Sequence, residues 1–183
     1  MENSIQIQAI IQGIIDGQTD ATELSFWNVV DHSFLSSLPK NTLKLALDST
    51  KIKSIDGIEN LTEIRILDLG KTDISDISNL APLNSLWKLY LGGTNISSIG
   101  SLGGCKRLED LCIAYTNVTD LSPLKGLKCL RELNVKGIKI DNDNIDVLIE
   151  LKPMKIYVTD DDIKSSDIDL INDHGIEVIV HRS

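Results

Sequence analysis

The sequence predicts an α/β solenoid. It is a right-handed coil whose short strands line up as a parallel sheet on a concave wall, with a 3₁₀-like or irregular convex side. Three observations carry this reading. The triplet Leu67-Asp68-Leu69, with Thr72 and Ile74, returns 22 residues later as Leu89-Tyr90-Leu91 with Thr94 and Ile96. It returns again as Leu111-Cys112-Ile113 with Thr116 and Val118, as Leu133-Asn134-Val135 with Ile138 and Ile140, and one step earlier as Leu45-Ala46-Leu47 with Thr50 and Ile52. Five units in register imply stacked repeats, each burying its apolar side against its neighbours. Between the triplets an apolar residue falls at every third position, as in Ile74, Ile77, Leu80, Leu83 and Leu86, or Ile96, Ile99, Leu102, Cys105 and Leu108. A step of three suits 3₁₀ or extended turns better than an α-helix. Finally, hydrophobic residues make up 42% of the chain and aromatics only 4%, so aliphatic side chains must fill the core.

The elements follow in chain order. Residues 1–40 are expected to form an N-terminal cap, because an open solenoid end would expose its core. Within it Ile5, Ile7, Ile10, Ile11, Ile14 and Ile15 give a helical apolar face, Leu24–Trp27 an irregular first strand, and Phe34, Leu35 and Leu38 a short apolar turn. Residues 41–183 are read as the repeats, six to seven coils in all. The last two are irregular, with strands at Ile156-Tyr157-Val158 and Val178-Ile179-Val180. Their convex segments, 144–151 and 166–173, carry apolar residues at helical spacing, with Asn142 or Asp143 expected to cap the first and Ser165 or Ser166 the second. Pro82 and Pro123 fall on the convex side, where no ladder needs their missing N–H.

Alternation along a strand turns the Leu-x-Leu leucines inward and the residues beside them outward. The outward columns run from Lys44, Ala46 and Asp48 through Asp68, Lys88, Tyr90, Asp110, Cys112, Glu132, Asn134 and Lys136 to Tyr157 and Thr159. Tyr90 is expected near the centre of this face, with Trp87 and Tyr115 at the edges of neighbouring strands. Such aromatics are enriched at binding hot spots. Asp68, Asp110 and Glu132 ring them with negative charge, while Gly70, Gly92, Gly93 and Ala114 would let a partner approach the backbone. The candidate protein-binding residues are therefore Asp68, Trp87, Lys88, Tyr90, Asp110, Cys112, Tyr115, Glu132, Asn134 and Tyr157.

Other chemistry finds little support. No catalytic, cofactor or metal site is indicated. His32, His174 and His181 are scattered, and no glycine loop suited to phosphate is present. Asp141-Asn142-Asp143-Asn144 looks like the start of a calcium loop but lacks its glycine and distal glutamate, so helix capping explains it better. Asp160-Asp161-Asp162 reads as a solvated turn. Three cysteines without a CxxC pair indicate neither a disulfide framework nor a zinc site, which favours a reducing compartment. The net charge of −9 and the lack of a basic stripe argue against nucleic acid and anionic membranes as partners. The N-terminus lacks the positive flank of a signal peptide, so the expected location is cytoplasmic.

The pattern Leu-x-x-Leu-x-Leu-x-x-Thr-x-Ile-x-x-Ile-x-x-Leu-x-x-Leu resembles the 22-residue leucine-rich repeat of the internalin type. The segments Thr72–Leu83 and Val118–Leu124 carry it most clearly. The match is close over about residues 43–140 and loose over 141–180. The resemblance implies a protein-binding scaffold without naming its partner. In place of the Asn common at the turn of such repeats stand Thr50, Thr72, Thr94 and Thr116, whose hydroxyls can satisfy the same backbone groups. In the fifth unit Ile138 cannot. Neither a secretion signal nor a wall-anchoring tail is recognised, so host-cell adhesion is not expected to carry over. The expected function is that of a bacterial-type adaptor or inhibitor that engages one protein on its concave face. An immunity-type inhibitor of a basic toxin is one concrete form. The alternative is the substrate-recognition fragment of a larger effector or enzyme.

Overall fold

A computed structural model of the chain describes residues 22–182, with Ala9, Gln12 and Gly13, all helical, ahead of them. The expected apolar face from Ile5 to Ile15 lies outside the described residues. From β1 onward the chain forms one parallel eight-stranded sheet in which every strand pairs with the next in sequence. The strands are β1 (Glu23–Ser25), β2 (Lys44–Ala46), β3 (Ile66–Asp68), β4 (Lys88–Tyr90), β5 (Asp110–Cys112), β6 (Glu132–Asn134), β7 (Lys155–Thr159) and β8 (Glu177–His181). The irregular first strand and the apolar turn at Phe34 and Leu35 are present as β1 and a 3₁₀ turn at Ser33–Ser37.

Register explains why so short a strand suffices. Leu24, Leu45, Leu67, Leu89, Leu111, Leu133, Ile156 and Val178 are partners across successive strands. All but the last are buried, and Val178, on the edge strand of the described sheet, is only partly so. The three-residue step becomes 3₁₀ turns at Ile58–Asn60, Ser78–Leu80, Gly100–Gly104 and Ser122–Gly126. Each turns one aliphatic residue (Ile58, Leu80, Leu102, Leu124) into the same core. A signal unused above also starts several turns. Asp31, Asp76 and Asp120 each accept from the backbone N–H and hydroxyl of the serine two residues on. Those bonds hold the three carboxyls below the usual aspartate range.

After each strand from β1 to β6 the chain must leave the sheet, and one residue in each of these coils takes a left-handed conformation to do so. The positions are Asn28, Ser49, Lys71, Gly93, Tyr115 and Gly137, with φ between 55° and 75°. Beside this corner the threonines act as expected. Thr50, Thr72, Thr94 and Thr116 donate their hydroxyls to the carbonyls of Leu47, Leu69, Leu91 and Ile113, at 2.6–2.8 Å.

At Ile138 the device changes. The backbone N–H of Gly137 donates to Asp162 Oδ2 at 2.8 Å, and the N–H of Thr159 donates to the same oxygen at 2.7 Å. Asp162 is therefore buried and bonded, whereas the sequence reading made it part of a solvated turn. Asp160 and Asp161 do stay exposed. The two convex helices are α1 (Asn142–Leu151) and α2 (Ser165–Asp173). Their caps differ from those expected. Asp141 caps α1 by accepting from the N–H of Asn144 at 3.0 Å, and α2 begins after Lys164 with no side-chain cap. Asn144 itself is buried: its Oδ1 accepts from the N–H of Leu121, and its Nδ2 donates to the carbonyl of Thr119.

The two stitching devices should differ in strength. Thr94→Val removes one neutral hydrogen bond and is expected to cost about 1 kcal/mol, whereas Asp162→Ala strands two backbone donors and is expected to cost about 2–4 kcal/mol. Urea unfolding of the two variants beside the wild type measures both. Equal effects would show that Asp162 does not hold the sixth and seventh coils together.

Candidate functional site

The sheet register fixes two columns of the outward face. The first runs Glu23, Lys44, Ile66, Lys88, Asp110, Glu132, Lys155, Glu177, and the second Ser25, Ala46, Asp68, Tyr90, Cys112, Asn134, Tyr157, Ile179. The first column is stitched by cross-strand ion pairs: Lys44 with Glu23 at 3.4 Å, Lys155 with Glu177 at 3.7 Å, and Lys88 with Asp110. The bond to Asp110 holds the Lys88 ammonium above its ordinary range.

The columns enclose a hollow of about 360 Å³. Tyr90 and Tyr157 stand at its two ends, three strands apart, or roughly 14 Å at the usual strand spacing. Cys112 and Asn134 lie between them in the second column. Asp110 and Glu132 line one long side, and Lys136 and His181 the other. Tyr157 donates its hydroxyl to Glu132 at 3.3 Å, and its ring lies 6.3 Å from that of His181. Burial raises the phenols of both Tyr90 and Tyr157, so both remain neutral hydrogen-bonding groups. Burial also pushes the Cys112 thiol up, which disfavours the reactive thiolate. Buried Cys105 is pushed further, to about 11.

Of the ten residues singled out from sequence, Tyr90, Asp110, Cys112, Glu132, Asn134 and Tyr157 line this hollow. Lys88 adjoins it through Asp110. Trp87 and Tyr115 are on opposite edges. Trp87 precedes β4 and lies in a second hollow, while Tyr115 occupies the left-handed corner after β5, 61% exposed. Glycine is needed at 137 because a Cβ there would come within 2.7 Å of the Tyr115 ring. The small residues serve a purpose other than the expected one. A Cβ at Gly70 would meet Asp68 Oδ1 at 3.2 Å and one at Gly92 would meet Cys112 Sγ at 3.1 Å, so that space holds neighbouring side chains. Ala114 and Thr159 are buried. His181 was missed; extending the columns by one more 22-residue step beyond Thr159 finds it.

Comparison with solved structures places the architecture. An internalin, inlF of Listeria monocytogenes str. 4b F2365, superposes with a TM-score of 0.78 at 22% identity over 92% of this chain. Internalin C2 of the same strain gives 0.65 at 25% identity, covering 95% of this chain and 84% of that one. The chain is a leucine-rich-repeat solenoid, and its coils resemble those of internalins. It spans half the length of the inlF structure. The repeat also matches a TLR13–ssRNA13 complex, with a TM-score of 0.62 at 18% identity over 76% of this chain and 22% of that one. No protein-family model and no curated protein matches the sequence. Among the described residues no helix is long and apolar enough to cross a membrane, and no cluster of three or more His, Cys, Asp or Glu side chains could hold a metal.

Asp68 is the charge most exposed to a pH test. Burial raises its carboxyl above the usual aspartate range; the Gly70 N–H, donating to Oδ1 at 3.0 Å, opposes that shift, and the charge of Asp48 adds to it. A raised carboxyl makes the folded state bind its proton more tightly than the unfolded chain. Its stabilising contribution is then complete below the unfolded pKa and is lost as pH rises through the folded one. Asp68→Asn is therefore expected to raise the urea midpoint at pH 7, with a gain that shrinks as pH falls below about 4. A variant no more stable at pH 7 would refute the burial cost.

Proposed function

We propose that the chain is a protein-binding scaffold, acting as an adaptor or an inhibitor, that seats a segment of one protein partner on the concave face. The observation that carries this is the hollow between Tyr90 and Tyr157. Two aromatic walls present apolar flanks with polar tips, and the floor between them is low. Amphipathic rings of this kind bury much area while their hydroxyls remain satisfied, which is the usual make-up of a binding hot spot. Chemistry of its own is not part of the proposal, since the nearest nucleophile, Cys112, is held as a thiol.

The partner is proposed to present a basic side chain. Asp110 already has Lys88, but among the described residues Glu132 has only the hydroxyl of Tyr157, and Asp68 bears its charge against a burial penalty. A cation placed over Asp68 and Glu132 would satisfy both. An immunity-type inhibitor of a basic toxin or enzyme is the concrete form that fits this charge. A second reading, the recognition part of a larger effector or enzyme, draws on the outer side of the last coil, where Leu170 and Val180 each remain 43% exposed.

Affinity capture from the source organism, with Tyr90→Ala/Tyr157→Ala beads beside wild-type beads, tests the site. A partner retained by wild type is expected to bind the double variant at least tenfold more weakly, the loss of about 1.4 kcal/mol or more. Circular dichroism should show an unchanged fold. Full retention by the folded variant would remove the concave face from the proposal.

A further inference from the structure

The cations of this acidic chain are gathered on one flank. The five residues that end on the first residue of each strand from β2 to β7 (40–44, 62–66, 84–88, 106–110, 128–132 and 151–155) hold ten of the 18 lysines and arginines but only four of the 27 acidic residues. Because the strands stack in register, these segments stack too, and they form one edge of the solenoid. A stripe sampled once every 22 residues is invisible in linear sequence, so the expectation that no basic surface exists fails. The stripe stops at β8, where the same segment carries Asp173 and Glu177.

Its centre is built as a contact surface. Three of the four arginines in the chain, Arg65, Arg107 and Arg131, lie there around Trp87, which is 43% exposed. A hollow of about 500 Å³ is lined by Arg65, Ser85, Trp87, Arg107, Glu109 and Cys129. Glu109 is matched by Arg131 at 3.3 Å, and Lys88 lies 5.2 Å from the centre of the Trp87 ring while paired to Asp110. Among the described residues neither Arg65 nor Arg107 forms an ion pair or a side-chain hydrogen bond. Two free guanidinium groups therefore flank an exposed indole.

We propose that this flank is a second docking surface, separate from the concave hollow, and that it takes an acidic peptide segment of a protein partner. Guanidinium groups bind carboxylates in a two-pronged fashion, and Arg and Trp are both among the residue types enriched at protein hot spots. The flank does not suit a nucleic acid as well. Single strands are held by successive aromatic platforms along an unbroken cationic track. Here Trp87 is the sole aromatic residue of the six segments, and Glu63, Glu109, Asp110 and Glu132 interrupt the cations.

The test uses a labelled ten-residue glutamate peptide, followed by anisotropy and by the emission of Trp87 in a Trp27→Phe background. A ten-residue lysine peptide and a ten-nucleotide uridine RNA serve as comparisons. The glutamate peptide is expected to bind and to shift Trp87 emission. Arg65→Glu/Arg107→Glu should weaken it at least tenfold, or about 1.4 kcal/mol. Lys51→Glu/Lys53→Glu, the same charge change off the flank, should alter it less than about twofold, and Tyr90→Ala/Tyr157→Ala should leave it unchanged, so this site can fail or hold independently of the concave one. Thermal melting confirms that each variant is folded. A silent Trp87, an equal loss in the Lys51/Lys53 variant, or RNA binding as tight as the peptide would each overturn the proposal.

Discussion

The whole molecule depends on aliphatic side chains meeting their own counterparts one coil away. Leu45, Leu67, Leu89, Leu111 and Leu133 are cross-strand partners at an unbroken interval, and all are buried. A three-residue strand would be worthless alone, since ordering its backbone costs more than its few hydrogen bonds return. Stacked in this way, each strand from β2 to β7 is flanked on both sides, and the inward leucines dictate which residues face out. Every surface discussed above inherits its geometry from that interval. A slip of one residue in any coil would turn its outward column into the core.

Charge is distributed by the same rule. A residue type repeated at one place in the unit becomes a line along the solenoid, so the chain can carry opposite fields on different faces while its net charge stays at −9. The concave hollow has Glu132 and Asp68 available for a cation, and the flank before the strands has Arg65 and Arg107 available for an anion. Net charge alone hid the second surface. Long-range steering follows the local field rather than the total, so the two faces would attract partners of opposite sign.

What could be read from the sequence was what repeats. The strands, the 3₁₀ side and the threonine bonds all follow from the period, because the same side chain meets the same backbone group in each unit. The tyrosines at 90 and 157 could be placed on one face for the same reason. The rest needed distances. Asp162 reaches back to Gly137 across 25 residues, and Asn144 reaches Leu121 across 23, in a region where the period has already shifted by one. Trp87 and Tyr115 could be placed at strand edges from the sequence, but that they lie on opposite edges of the sheet needed the structure. The glycines were read as openings because their lack of side chains is visible, whereas the side chains of Asp68 and Cys112 that fill that room are not.

The seam between the sixth and seventh coils has a mechanical meaning. A chain whose contacts join only adjacent units opens from its ends, one unit at a time. Up to β6 the convex side is closed by 3₁₀ turns, and beyond it by α1 and α2. The carboxylate of Asp162 and the amide of Asn144 are clasps on either side of that change, each fastened to backbone that belongs to an earlier coil. Disorder entering through β8 would loosen His181 first, but it would have to undo the Asp162 clasp on Gly137 before it reached Glu132, Asn134 and Lys136. Asp162 thus acts as a ratchet stop, shielding the part of the binding wall on β4 to β6 from loss of order in the coils beyond it.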